Sequence, residues 1–276
     1  MRPILKKAFV NFCRRNLAFA KLAAQTNLEY RLNFFVDAIV QPIITAFVEI
    51  LLWFSLFHMG DQILLAGFDR ANYIAYALWA SFVARITTNW MYESRMMIEI
   101  ETGSLNAILV RPVSFFEFYL AQFMGYKMLT TVISLIVPIL VVFWMELPTD
   151  WSRAPVAGLL VIYHLVFVHL LSFCVVCMAF HMTKVHSLTV AKNLALWFFS
   201  GELLPLDILP KKVAEALSIL PFSNAVYTPV GYLLGRVSSD DIARGFVSST
   251  LGILSLSFLA LGLWHWGLRT YSGTGA

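Results

Sequence analysis

Apolar residues along this chain gather into long runs separated by short connections marked by charge, proline or glycine. A helix needs about 20 apolar residues to cross a hydrocarbon core. Six runs meet or approach that length, at roughly 33–57, 72–90, 119–144, 156–180, 188–204 and 246–268. The fifth is short and closes on Gly201, Glu202 and Pro205, so a simple straight crossing is not expected there. Ahead of the first run, residues 4–25 show a helical period. Lys7, Asn11, Arg14, Ala18, Lys21 and Gln25 share one side, and Ile4, Leu5, Ala8, Phe9, Phe12, Phe19 and Ala23 fill much of the other. Basic residues opposite Phe and Leu describe a helix lying in the headgroup plane.

Two stretches break the apolar rhythm. Glu93–Pro112 carries Glu93, Glu99, Glu101, Arg95 and Arg111, a Gly103 able to end a helix and a Pro112 that stops one. Between them Met96, Met97, Ile100, Leu105, Ile108 and Leu109 fit one apolar helical face. A short amphipathic helix held between two spans is suited to lying at the membrane surface and gripping a partner; a solvated loop with a frayed helix is the plainer alternative. The second stretch is 201–245. Leu203–Leu209 is apolar and proline-punctuated, Lys211–Leu220 has a helical period, and Pro221–Gly235 reads PFSNAVYTPVGYLLG. Irregular backbone at membrane depth must be buried in protein, so two short helices dipping part-way into the outer leaflet suit this stretch. Gly231 and Gly235 form a G-x-x-x-G that can allow close packing.

Composition agrees with the pattern. Hydrophobic residues make up 59% of 276 positions and charged residues 13%, whereas soluble domains run near half apolar and a quarter charged. The chain therefore reads as a polytopic membrane protein, with 23 Phe and 8 Trp supplying the aromatic excess found at lipid interfaces. The net charge of +4 does not point to nucleic acid; its distribution matters more. Fourteen basic residues fall in the N-terminal segment, the second-to-third and fourth-to-fifth connections (Arg85, Arg95, Arg111, Lys127; Lys184, Lys192) and the tail, against six in the opposite loops. The positive-inside rule then puts both termini and Glu93–Pro112 in the cytoplasm.

The chemistry is sparse. No G-x-x-x-x-G-K-[ST], H-E-x-x-H or G-x-S-x-G occurs, so any ATP must be bound by another chain. His164/His169 and His181/His186 are five apart, on diverging helix faces, and read as packing or interface residues. Cys13, Cys174 and Cys177 form no disulfide framework, and the C-x-x-C inside an apolar span reads as buried and structural. The basic N-terminus is not followed by a continuous apolar core, so no cleavable signal is expected. Ionisable groups inside spans are costly and are functional candidates. Asp37 and Arg85 should sit at similar depth and neutralise each other; Glu49 has no evident partner. Trp53, Phe54, Phe57 and Trp79 could line a path for a lipidic substrate, but read better as an interfacial belt.

IETGSLNAILVRP at Ile100–Pro112 resembles the cytoplasmic signature I-x-x-G-x-L-D-x-x-L-x-R-P of type-2 ABC exporter permeases, in the six-span branch usually encoded as two dissimilar permeases with one ATPase. FFSGELLPLDILP at Phe198–Pro210, then LPF at Leu220–Phe222, Tyr227, Pro229 and Gly235 follow in that branch's order. Asn106 stands where Asp is common, and Glu101 near a position often basic. The resemblance covers essentially the whole chain and implies the class V exporter fold. That fold would be an all-α polytopic protein of six transmembrane helices in one permease domain, residues 1–276, with an amphipathic connecting helix in 1–31. The coupling helix would lie within Met91–Val110, and its segment 93–112 would use Glu99, Glu101, Gly103, Leu105, Asn106, Arg111 and Pro112 against an ATPase. The outer re-entrant segment 201–245 would be marked by Gly201, Glu202, Pro205, Pro210, Pro221 and Phe222. The implied partners are an ABC ATPase dimer that binds ATP and Mg, a second permease and the bilayer, with no cofactor in this chain and no nucleic acid. The implied place is a bacterial cytoplasmic membrane. Glu49 would then line a path, face the second permease or carry a proton. The function implied is export driven by a separate ATPase. A membrane scaffold tethering an ATPase, or an integral membrane lipid enzyme, are the competing readings; no cluster of acids, His or Ser supports the enzyme.

Overall fold

The computed structural model describes residues 2–59, 68–182 and 185–273, and the regular structure there is helical. Lys184, used in the charge comparison, lies outside the described residues, as do the side chains of residues 2–10, 58 and 59. Helix α1 (Arg2–Glu29) leads into α2 (Arg31–Phe57), followed by α3 (Arg70–Thr87), α4 (Trp90–Glu101) and the single turn α5 (Asn106–Leu109). Then come α6 (Phe115–Trp144), α7 (Trp151–Phe180) and α8 (His186–Phe199). The short helices α9 (Lys211–Ile219) and α10 (Tyr227–Leu233) precede the long α11 (Ser239–Thr270).

Of the six runs expected to cross a membrane, four qualify by length and hydropathy: α2, α6, α7 and α11. α3 carries arginine in both its first and last turns, and most of its side chains are buried by neighbouring helices rather than facing lipid. α8 has 14 residues, about 21 Å at 1.5 Å per residue, which is short of a hydrocarbon core of about 30 Å. It ends because Gly201 takes φ 82°, a left-handed conformation natural to glycine.

Local chemistry accounts for several boundaries. The Asp69 carboxylate caps α3 by accepting from the Asn72 N–H, and Ser238 with Asp241 forms a capping box at α11. α2 contains a π-helical turn at Val36–Val40, just before Pro42, which has no N–H to give to the ladder. Pro138 likewise interrupts α6 between Ser134 and Ile136. Gly231 and Gly235 do not bring helices together. The Arg236 and Val237 N–H groups fold back onto the Gly231 carbonyl to close α10, with Gly235 left-handed.

Two cores sit toward opposite ends of α7. One gathers α3 with Ala46, Trp53, Val142, Ala157, Val161, Ala225 and Val230. Trp53, stacked on Tyr73 at 4.7 Å, and Trp79 are therefore interior residues and not an interfacial belt; only Phe54 of the expected four is exposed. The other core joins α4, α6, α7 and α11 through Tyr92, Met96, Leu105, Phe123, Leu165 and Phe173.

α1 lies along the first half of α6, with Arg15 paired to Glu117 at 2.7 Å and Phe19 edge-on to Phe118 at 5.1 Å. The approach is closest at Gly125, where an added Cβ would fall 2.5 Å from the Ala20 carbonyl oxygen. Gly125→Leu is expected to cost about 1–3 kcal/mol through this overpacking. The unfolding midpoint of the purified protein checks it, and an unchanged midpoint would contradict so close a contact.

Candidate functional site

Glu93–Pro112 forms α4, a left-handed turn at Gly103 (φ 79°) and α5, with the Leu105 N–H reaching back to the Glu99 carbonyl at 2.9 Å. Its apolar face turns inward. Met96, Met97, Ile100, Leu105 and Ile108 are buried against the molecule's own helices, so this face seats the segment and is not free to grip a partner. The outer side is a second surface: Ile98, Leu109 and Val110 are exposed, Val110 to 84%, and Arg95, Asn106, Arg111 and Pro112 are exposed with them. Glu99 is half-buried, and burial raises its carboxyl above the usual range, with Tyr119 alongside drawing it part of the way back. Glu101 borders a cavity of about 380 Å³ with His181 and Tyr271. Asn106 donates to the Gly273 carbonyl at 3.0 Å, tying the C-terminal tail to the segment.

Glu93 behaves differently from the other acids. It is fully buried, and Lys192 of α8 meets its carboxylate at 2.6 Å while Ser172 of α7 hydrogen-bonds both. Burial still holds the Glu93 carboxyl above its ordinary range, against the pull of Lys192. Lys192, counted among loop positives, is thus an interior residue of a helix. The pair is 99 residues apart in sequence; the only hint was a single lysine within the apolar α8.

The expected Asp37–Arg85 pair forms, at 2.5 Å, beside the π-helical turn of α2. The Tyr126 hydroxyl also donates to Asp37. Lys127 corrects a second loop assignment. It lies well inside α6, is 9% exposed, and donates to the Arg85 carbonyl at 2.6 Å and to Thr88 Oγ1 at 3.3 Å. These residues border a cavity of about 740 Å³ between α2, α3 and α6, which also reaches Gln41, Thr45, Thr130 and Glu202. Glu49 is half-buried.

At the far end Tyr76 donates to the Gly201 carbonyl at 2.7 Å, and a Cβ at Gly201 would meet Tyr227 Cβ at 2.7 Å. Pro205 and Pro210 open the turns that follow them, and Pro221 opens another whose Phe222 packs on Phe167 and Phe199. α9 buries no residue, whereas α10 is largely buried. Arg236 carries no local signature that marks it as more than a loop positive. Its side chain is fully buried, pairs with Asp207 at 3.1 Å and lies over the Phe68 and Tyr73 rings at 4.0 and 4.4 Å.

Compared with known protein families, residues 43–275 match the one described as ABC-2 family transporter protein. A comparison with curated proteins returned no match.

Proposed function

Because the chain belongs to the ABC-2 transporter family, we propose that it is the transmembrane permease subunit of an ATP-driven exporter in a bacterial cytoplasmic membrane. A separate ATPase dimer binds ATP and Mg, and a second permease, a sister subunit or another copy, completes the pathway. In this reading α3 and α8 complete a set of six spans, with α8 extended by the segment after Gly201. α1 is the connecting helix, α4 the coupling helix, and α9 and α10 the re-entrant outer pair, with both termini cytoplasmic.

One observation carries the proposal: the segment has two apolar surfaces with different fates. Its inner surface is locked onto α6, α7 and α11, while Ile98, Leu109 and Val110 stay exposed among Arg95, Asn106 and Arg111. A rigidly seated tip with an apolar centre and a polar rim has the make-up of an interface hot spot. A push on it reaches the bundle through packed side chains.

Copurification with a cognate ABC ATPase tests this. Leu109→Glu with Val110→Glu is expected to weaken retention by about 30-fold or more, as loss of a hot spot of ~2 kcal/mol would. Glu101→Ala with Arg111→Ala is expected to weaken it less, because rim charges contribute modestly. A well-folded wild-type chain that retains no ATPase would overturn the proposal.

A further inference from the structure

The cavity between α2, α3 and α6 is lined by more basic than acidic side chains: Arg85, Arg95 and Lys127 against Asp37 and Glu202. Asp37 is already engaged by Arg85 and by Tyr126. Lys127 is 9% exposed and has no carboxylate within salt-bridge distance among the described residues. An ammonium has three N–H donors; the Arg85 carbonyl and Thr88 Oγ1 take two. The Phe123 ring lies 5.9 Å from the ammonium on another side, and Lys127 lines the cavity. Arg95 adds a second cation at the rim, over the Tyr92 ring. The remaining acid of the lining is Glu202. A cation at membrane depth without a counter-ion is costly, so such residues mark ligand or ion sites.

The surroundings of the opening indicate what comes with the anion. Tyr30, Asn33, Gln41 and Trp90 line the cavity and are exposed. Leu32, Phe35 and Val36 beside them present apolar side chains outward. A volume of about 740 Å³ lies within the usual range of small-molecule sites, about 300–1,000 Å³. We propose that this cavity binds the anionic headgroup of a single-tailed or lipid-like amphiphile, with Lys127 as the main contact, Arg95 as a rim contact and the tail along Leu32 and Phe35. The inference rests on the permease reading for its meaning, since it names a substrate class, but the binding itself does not require an ATPase.

The test uses the purified full chain in an uncharged maltoside detergent, with dodecyl phosphate, inorganic phosphate and dodecyltrimethylammonium as probes and the thermal midpoint as readout. Dodecyl phosphate is expected to raise the midpoint in a saturable way, and dodecyltrimethylammonium is not. Lys127→Met should weaken the dodecyl phosphate response by about tenfold, as loss of a charge-assisted bond would, and Lys127→Arg should retain it. Arg95→Gln, at an exposed position where folding is not at stake, should weaken it by about threefold. Inorganic phosphate matching dodecyl phosphate would support the anion site and assign it to a free anion. An equal response to the cationic probe, or a response untouched by both Lys127→Met and Arg95→Gln, would overturn the proposal. Either result leaves the ATPase copurification free to succeed or fail separately.

Discussion

Lys192→Met alone is expected to destabilise the protein by about 3–5 kcal/mol, because it strands a fully buried carboxylate. The double change Glu93→Met with Lys192→Met should recover most of that loss, since an apolar pair of similar volume replaces a desolvated ion pair at little net cost. Denaturant unfolding of the three proteins measures it. A single variant as stable as wild type would show that the pair is not enclosed as described. The pH dependence carries a sign. Removing Lys192 takes away the charge that draws Glu93 down, so its folded carboxyl titrates still further above the ordinary glutamate value. The folded state then binds the proton more tightly than the unfolded chain, and stability falls as pH rises between the two values. The deficit of Lys192→Met should shrink as pH is lowered towards the ordinary glutamate range and be complete above the raised folded value.

The second large effect belongs to Arg236. Arg236→Met is expected to cost about 3–5 kcal/mol, since Asp207 loses its buried counter-ion and three rings lose a guanidinium held within 5.3 Å. Asp207→Asn leaves the cation among those rings and should cost less. Unfolding of both variants tests the order, and a more damaging Asp207→Asn would contradict it. Because Arg236 joins the end of α10 to α3 and to the turn before α9, its loss should also loosen the outer segment.

The chain revealed more of its elements than of their neighbours. α2, α6, α7 and α11 were legible because length and hydropathy alone define them. Gly103 and Gly201 were legible as helix ends, and both prove to be left-handed. The Asp37–Arg85 pair could be foreseen from matching depth. Periodicity identified the apolar face of Glu93–Pro112 but not its neighbour, and that face turned out to pack on the molecule itself. Lys127 was misassigned because its charge was credited to the connection, although it falls within both the apolar run 119–144 and helix α6. Lys192 and Arg236 were hidden for another reason: a buried ion pair depends on which helices meet, and a lone lysine in the apolar α8 does not name its partner. α3 was found as a run, but not as an interior helix, because enclosure by protein leaves no mark on composition.

In the proposed function, the exposed tip of Glu93–Pro112 is where a partner ATPase meets this chain. A photoreactive amino acid at Val110, which is 84% exposed, compared with one at Val132, 70% exposed on α6, tests it in membranes containing the cognate ATPase. An adduct with the ATPase is expected from Val110 and none from Val132. No ATPase adduct from Val110, or equal adducts from both positions, would contradict it.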